Sequence, residues 1–298
     1  MKYNIDKRFG ILKYFKSPMN KISFIVGNFF ISIIPKWLKT KYTKFNKIKL
    51  HDFSLYIIEP KNSISNGTLM FFHGGAFCYK GNDTYFKHIK RYIKETNISI
   101  VYVDYNMAYK STDEVCANNC FSAYKYIINN YKKLNLDISN IGFLGDSAGG
   151  YISLRVISLI NKYQLPLPKY QILIYPVVSK NKDFDSLIKF RDTPVWDSNL
   201  NKKMWKFYAN DKFYFDPLVE NISYMPKTYI EVCEFDPLHD EGIALYKRLI
   251  SYNINVLLNE TFSTIHGYDI YMNHPIVLNS FDKRINFIKN NIKEKEVS

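Results

Sequence analysis

The feature that most constrains the fold is an alternation of short apolar runs with helical segments, from about residue 65 to the end of the 298-residue chain. The apolar runs lie at 69–72, 98–103, 141–144, 171–178, 228–233 and 254–258. The helical segments lie at 83–96, 113–134, 148–163, 240–252 and 276–292. Apolar strands separated by helices form a mainly parallel sheet that is covered on both faces. We therefore predict an α/β fold, preceded by one or two strands within 48–58.

The positive charge of the chain is concentrated at its N-terminus. The formal net charge is +14, and residues 1–50 hold twelve Lys and Arg against one acid, Asp6, for a net +11. The rest of the chain is nearly neutral and carries no helix-turn-helix, zinc-knuckle or RNA-recognition signature. A nucleic-acid enzyme normally has its basic surface on the folded body. We expect no nucleic-acid partner.

An apolar run at 22–35 is too short for a transmembrane helix, which needs about 20 residues, and it lacks the features of a signal peptide. Its apolar residues recur with the period of an amphipathic helix, namely Ile22, Ile25, Val26, Phe29, Phe30, Ile33 and Ile34. Two interpretations remain open. The helix packs over the main domain as part of a lid, which we favour, or it rests on an anionic membrane surface.

The strand–helix pattern is interrupted between about 180 and 224, where Trp196 and Trp205 accompany a helical run at 199–209. We interpret this stretch as an insertion that folds beside the N-terminal helix and covers one end of the sheet. The predicted organisation is an N-terminal cap, 1–44, followed by a catalytic domain, 45–298, that carries the cap insertion.

The strongest chemical motif is Gly145-Asp146-Ser147-Ala148-Gly149-Gly150, which fits G-x-S-x-G between an apolar strand and an apolar helix. A sharp strand-to-helix turn exposes the serine hydroxyl. Gly145 and Gly149 are expected where a side chain would collide with neighbouring backbone. We predict that Ser147 is a nucleophile, with the helix N-terminus aimed at a developing oxyanion.

A second motif, His73-Gly74-Gly75-Ala76-Phe77, directly follows the strand at 69–72. Acyl transfer needs preorganised donors, usually backbone N–H groups, for the negative oxygen of its tetrahedral intermediate. We assign the N–H groups of Gly74, Gly75 and Ala148 to an oxyanion hole, and we expect His73 to orient the loop.

A serine nucleophile needs a base, and the base needs an acid that fixes its tautomer. Asp236 follows the strand at 228–233, and His266 follows the strand at 254–258. The order Ser147, Asp236, His266 matches the order in the α/β-hydrolase fold. The alternatives are Asp240 and Glu241 for the acid, which open a helix as capping acids do, and His274 for the base.

The motifs HGGAF, GDSAGG, DPLHDEG and HGY together resemble the hormone-sensitive-lipase-like family of α/β-hydrolases, which contains short-chain esterases and acetyl esterases. The resemblance covers roughly 65–290. It implies a carboxylic ester hydrolase that acts on acetyl to butyryl esters through an acyl-enzyme, with the triad and oxyanion hole named above. It also implies a cap formed by the N-terminus and an insertion. The reaction that it implies needs no cofactor and no metal.

The chain departs from the family pattern in three motifs. Ala76 stands at the third glycine of the oxyanion loop, Asn106 and Tyr109 replace the arginine and the proline of a D-Y-R-L-A-P element, and Tyr151 replaces an asparagine. None of these residues belongs to the triad. The same triad could serve an amidase, a deacetylase or an acyltransferase, and a noncatalytic ligand-binding protein of the same fold is a further alternative. The oligomeric state is not predicted.

The four cysteines, Cys78, Cys116, Cys120 and Cys233, form no C-x-x-C pair. Cys116 and Cys120 are one helical turn apart but have no nearby histidine to complete a metal site. Buried cysteines in a reduced compartment are the simpler interpretation. We therefore expect a cytoplasmic protein, with peripheral membrane contact as the alternative implied by the basic N-terminus.

Overall fold

A computed structural model describes residues 2–31, 42–61, 63–111, 113–180, 183–208, 212 and 214–292. The strands of these residues are β1 (Thr43–Leu50), β2 (Phe53–Pro60), β3 (Thr68–Phe72), β4 (Ser99–Asp104), β5 (Ile141–Asp146), β6 (Tyr170–Ile174), β7 (Lys227–Phe235) and β8 (Val256–Ile265). The helices are α1 (Lys21–Ile31), α2 (Asp83–Thr96), α3 (Val115–Asn130), α4 (Ala148–Lys162), α5 (Asp185–Lys189), α6 (Ser198–Phe207), α7 (His239–Ser251) and α8 (Pro275–Asn291). No helix within these ranges is both long enough and apolar enough to span a membrane.

The described strands form one sheet in the order β1-β2-β4-β3-β5-β6-β7-β8. The β1–β2 and β2–β4 pairs are antiparallel, and every pair from β4 to β8 is parallel. Two apolar clusters of buried residues cover the sheet. This arrangement confirms the predicted α/β-hydrolase architecture, with a mainly parallel sheet.

Two predicted strands end at different residues from those expected. The strand predicted at 171–178 stops at Ile174, because Tyr175 has a positive φ of 35° and the chain then turns toward Ser147, whose carbonyl accepts a hydrogen bond from Val177 N–H at 2.9 Å. The last strand is longer than predicted and reaches Ile265. Both ends lie beside the site described below.

The chain reaches the chemical motifs at the carboxyl ends of four parallel strands. β3 leads into His73, β5 into Ser147, β7 into Asp236 and β8 into His266. Carboxyl ends of neighbouring parallel strands lie at one edge of a sheet, where open α/β folds hold their sites. The topology therefore brings together motifs that are far apart in the sequence.

The predicted packing of the N-terminal apolar stripe is wrong for its described part. Ile22 is 76% exposed, Phe29 69% and Phe30 66%, whereas Phe24 and Asn28 are the buried residues of α1. The periodicity of the sequence located an apolar face, but it did not show which face of the helix packs against the rest of the protein. Ile33 and Ile34, the last two residues of the stripe, lie outside the described residues.

Asn28 is buried because it serves backbone groups that need partners. Its Nδ2 donates to Cys78 O at 2.8 Å, and its Oδ1 accepts from Lys80 N–H at 2.8 Å. Phe24 packs edge-on against the rings of Tyr79 and Phe207, with centroids 5.1 Å apart in both pairs. α1 is therefore fixed to the loop that follows the HGGAF motif and to the inserted helix α6.

The inserted stretch also contacts the N-terminal segment through its backbone. Ser17 N–H donates to Val195 O at 3.2 Å, and Val195 N–H donates to Phe15 O at 2.6 Å. Lys16 forms an ion pair with the buried carboxylate of Asp197 at 2.9 Å. These contacts join the two segments above the edge of the sheet that carries Ser147.

Candidate active site

Ser147 lies in the sharp turn between β5 and α4, with φ 53° and ψ −120°. Residues other than glycine rarely adopt a positive φ, so the surrounding structure must hold the backbone of Ser147 in this conformation. Ser147 N–H donates to Ile174 O at 2.9 Å. The turn is tight enough that a Cβ at Gly149 would collide with Phe72 O, and one at Gly145 would collide with Gly149 O. Both glycines therefore have the steric role expected from the motif.

The three predicted triad residues are linked by two hydrogen bonds. Ser147 Oγ is 2.8 Å from His266 Nε2, and His266 Nδ1 is 2.6 Å from Asp236 Oδ2. The other carboxylate oxygen of Asp236 accepts from Leu238 N–H at 2.9 Å. All three side chains are buried. This geometry fixes the imidazole between the hydroxyl and the carboxylate.

The alternative acids have other partners. Asp240 Oδ1 lies 2.7 Å from His239 Nδ1, and its Oδ2 accepts from Ser186 N–H at 2.8 Å. Glu241 Oε1 accepts from Val178 N–H at 2.8 Å. Neither carboxylate is the partner of His266, which is bonded to Asp236.

The remaining candidate histidines have structural contacts. His274 stacks on Phe9 with ring centroids 4.2 Å apart, and its Nδ1 accepts from Ile276 N–H at the start of α8. His73 stacks on Tyr105 at 4.2 Å, and burial lowers the pKa of His73 to about 4. A neutral, packed His73 fits the expected role of orienting its loop.

Gly74, whose N–H the sequence assigns to the oxyanion hole, has a hydrogen-bond partner in the structure. Gly74 N–H donates to Asp146 Oδ1 at 3.2 Å, so it has an acceptor within the protein. The next two residues have positive φ, 105° at Gly75 and 55° at Ala76, and both line the same cavity as Ser147. No acceptor for either N–H occurs in the described part of the chain. The sequence motif located the loop but not the direction of each N–H, which depends on these dihedral angles.

The carboxyl of Asp146 is buried between the HGGAF loop and the nucleophile turn. Burial raises its pKa to about 8, because a charged carboxylate loses its hydration there. The same carboxyl holds the loop through Gly74 N–H. Asp146 therefore stabilises the loop mainly as a neutral acid below about pH 8.

This burial predicts a pH-dependent difference between wild type and Asp146→Asn. An unfolded aspartate has a pKa of about 3.9, so between that value and about 8 the folded state binds more protons. Wild-type stability therefore falls as pH rises through this window. Asn keeps an oxygen acceptor for Gly74 and does not titrate. We expect the variant to gain at least about 1 kcal/mol relative to wild type between about pH 5 and about pH 8.

Urea unfolding at the two pH values measures this difference. His73 is present in both proteins, so its own titration cancels in the comparison. Equal pH dependence of the two unfolding free energies would show that Asp146 is not a buried acid with a raised pKa.

Ser147 and His266 open onto a cavity of about 540 Å³ that is mainly apolar. Its wall combines three parts of the chain: the N-terminal segment, the HGGAF loop and the inserted stretch. The ring centroid of Trp196, from the insertion, lies 5.9 Å from that of His266, and the ring centroid of Tyr175 lies 4.7 Å from it. No local pattern in the sequence joins these aromatic residues to His266, so neither contact could be predicted.

The loop after His266 is held by a buried ionic network that sequence analysis also missed. Asp269 accepts from Tyr175 Oη at 2.7 Å and from Arg284 Nη1 at 3.0 Å, and Arg284 also forms an ion pair with Glu231. These side chains are buried. The only signal in the sequence was the position of Asp269 three residues after His266.

A nucleophile turn, a bonded histidine and a buried acid at the carboxyl edge of this sheet define a hydrolase of the serine esterase type. A family profile described as alpha/beta hydrolase fold matches residues 69–270, which is more than half of the chain. The chain belongs to this family, in its hormone-sensitive-lipase-like branch, as its motifs predicted.

Curated relatives agree with this class. The chain is 28% identical to a putative alpha/beta hydrolase of Acanthamoeba polyphaga mimivirus, over 80% of this chain and 71% of that protein. It is also 28% identical to an arylesterase of Saccharolobus solfataricus, over 76% of each chain. The esterase LipW of Mycobacterium marinum has the same fold, with a TM-score of 0.88 at 17% identity over 97% of this chain and 96% of that one.

Proposed function

We propose that the protein hydrolyses carboxylic esters with small acyl groups through a covalent acyl-enzyme on Ser147. The observation that carries the proposal is the unbroken sequence of contacts from Ser147 through His266 to Asp236, at the wall of an apolar cavity. The names of the esterase relatives support the reaction class.

In the first half of the reaction, His266 Nε2 takes the proton of Ser147 as Oγ attacks the ester carbonyl. His266 then gives that proton to the departing alcohol. Asp236 accepts the hydrogen bond from His266 Nδ1–H throughout and stabilises the imidazolium. In the second half, His266 takes a proton from water as the water oxygen attacks the acyl carbonyl. His266 then gives that proton to Ser147 Oγ as the bond between Oγ and the acyl carbon breaks and the acid is released.

The oxyanion in both halves is stabilised by the backbone N–H groups of Gly75, Ala76 and Ala148. Ala148 is the first residue of α4, so its N–H has no partner within the helix. Ala76 takes the place of Gly74 in the predicted set because Gly74 N–H is bonded to Asp146, and Gly75 keeps its predicted role. The methyl group of Ala76, where the family has a third glycine, leaves its N–H intact.

A compartment with reduced thiols, such as the cytoplasm, is part of this proposal. All four cysteines are buried and unpaired, and burial raises the pKa of Cys120 well above its usual value. Such thiols are poor nucleophiles. They are therefore not competitors of Ser147 for the substrate.

We expect p-nitrophenyl acetate to butyrate to give the highest kcat/KM in a series of increasing acyl length. Esters longer than about eight carbons should fall by about tenfold or more, since Trp196 and Tyr175 pack beside His266 and limit the space there. Initial rates at matched substrate concentrations below the micelle range measure this profile, and Ser147→Ala supplies the background. A maximum at octanoate or longer would contradict the proposed acyl preference.

A further inference from the structure

The outward apolar face of α1 is defined here as Ile22, Ile25, Val26, Phe29 and Phe30. Each of the five is about half exposed or more, from 48% at Val26 to 76% at Ile22. The opposite side of the helix is already fixed to the body, by Phe24 among aromatic rings and by both amide atoms of Asn28. α1 cannot turn its outward face inward without breaking these contacts.

The preceding segment of the chain also exposes apolar residues. Ile11 is 82% exposed, Tyr14 74% and Phe15 51%. Phe15 and Val26 also line the cavity that contains Ser147. The apolar surface is therefore continuous with the wall of the candidate active site. A contiguous patch of this kind marks an interaction site with a protein, a ligand or a membrane.

The charge around this surface distinguishes among these partners. Lys7, Lys13 and Lys21 lie on the same segment and form no ion pair with any residue that the structure describes. The first fifty residues carry a net +11, and Asp6 is their one acid. Basic residues beside exposed Phe and Ile on a short helix are typical of a segment that lies in the interface of an anionic bilayer.

We propose that the outward apolar face of α1 binds an anionic lipid surface. The apolar run that contains this face, 22–35, has 14 residues between Lys21 and Lys36, fewer than the roughly 20 that a spanning helix needs, so the segment lies along the surface. A second copy of the chain fits the face less well, because it would bring together two N-terminal segments of the same strong positive charge. An anionic lipid surface offers hydrocarbon in which the phenylalanines are buried and negatively charged headgroups that pair with the lysines.

The placement has a consequence for the substrate, which rests on the proposed function. Phe15 and Val26 join the lipid-facing surface to the catalytic cavity. An ester dissolved in the outer part of the bilayer would then enter with its alcohol part against these apolar residues and its small acyl group near His266. The surface therefore selects lipophilic alcohols without changing the chemistry at Ser147.

The test is co-sedimentation of the full chain with two kinds of vesicle, phosphatidylcholine alone and an equal mixture of phosphatidylcholine and phosphatidylglycerol. We expect binding to the mixed vesicles only, weakening as salt is raised because the lysine contribution is screened. Phe29→Ser with Phe30→Ser should lower the partition coefficient about tenfold or more. Lys13→Gln with Lys21→Gln should lower it about fivefold for each lysine.

The matched control is Phe262→Ser, which removes a phenylalanine that is 64% exposed on β8. It should bind the mixed vesicles as wild type does. Hydrolysis of p-nitrophenyl acetate without vesicles should stay near the wild-type rate in every variant, since none of the changed residues lines the cavity. This rate also shows that each variant is folded, and it separates failure of lipid binding from failure of the proposed function.

No binding of wild type to the mixed vesicles overturns the proposal, as does equal binding to both kinds. Retention of binding by the Phe29 and Phe30 double variant overturns the assignment to α1. A dimer in sedimentation velocity that this double variant abolishes, without vesicle binding by wild type, would identify a second copy as the partner instead.

Discussion

Ser147→Ala should lower kcat/KM for p-nitrophenyl acetate by about 10⁴-fold or more. Ser147 Oγ is the only hydroxyl bonded to His266 Nε2 in the described part of the chain, so no other side chain is placed to take its part in the attack. The remaining rate would come from the oxyanion donors and from binding alone. Initial rates at substrate concentrations well below KM measure the loss directly.

Ser153→Ala is the matched control for this variant. Ser153 is also buried on α4, but its Oγ bonds Gln171, and neither residue lines the cavity. We expect its activity to stay within about threefold of wild type. Unfolding curves should show that Ser147→Ala is folded. A Ser147→Ala protein that kept more than about a hundredth of wild-type turnover would exclude Ser147 as the nucleophile.

Asp236→Asn should lower kcat by about 10⁴-fold while leaving KM nearly unchanged. The Leu238 N–H bond keeps an oxygen at one position of the side chain, so the new amide NH2 faces His266 Nδ1. Nδ1 must then act as an acceptor, and the ring proton moves to Nε2. In this tautomer His266 cannot take the proton of Ser147.

Asp240→Asn separates this effect from a general loss of negative charge. Asp240 is four residues from Asp236 but bonds His239 and Ser186. The Asp240→Asn variant should therefore retain nearly full activity. The two variants are compared over the same pH range. A large loss in Asp240→Asn together with an active Asp236→Asn would move the acid to the position that the sequence left as an alternative.

The parts of the site that follow strands could be predicted from the sequence. Ser147, Asp236 and His266 each come shortly after an apolar run, and parallel strands bring such positions to one edge of the sheet. The choice of Asp236 over Asp240 also followed from local pattern, since acids at a helix start are common capping residues. Local signals sufficed because each residue is positioned by its own strand.

Two other features depend on backbone geometry and long-range contacts, which a single sequence does not display. Gly74 and Gly75 cannot be told apart from the sequence alone, but in the structure Gly74 N–H donates to Asp146, whereas Gly75 and Ala76 have positive φ and line the cavity. The period of α1 located an apolar face, yet the hydrogen-bonding needs of Cys78 and Lys80 selected Asn28 for the interior. Phe29 and Phe30 are exposed as a result.

In the proposed reaction Ser147 carries the covalent intermediate, and mass spectrometry after reaction with diethyl p-nitrophenyl phosphate is the sharpest test of this role. This ester phosphorylates an activated serine and leaves a stable adduct in place of the short-lived acyl group. We predict one diethylphosphoryl group per chain, located on the peptide that contains Ser147, with activity lost in parallel and no adduct in Ser147→Ala. An adduct on another residue, or full inhibition with Ser147 unmodified, would show that Ser147 is not the nucleophile.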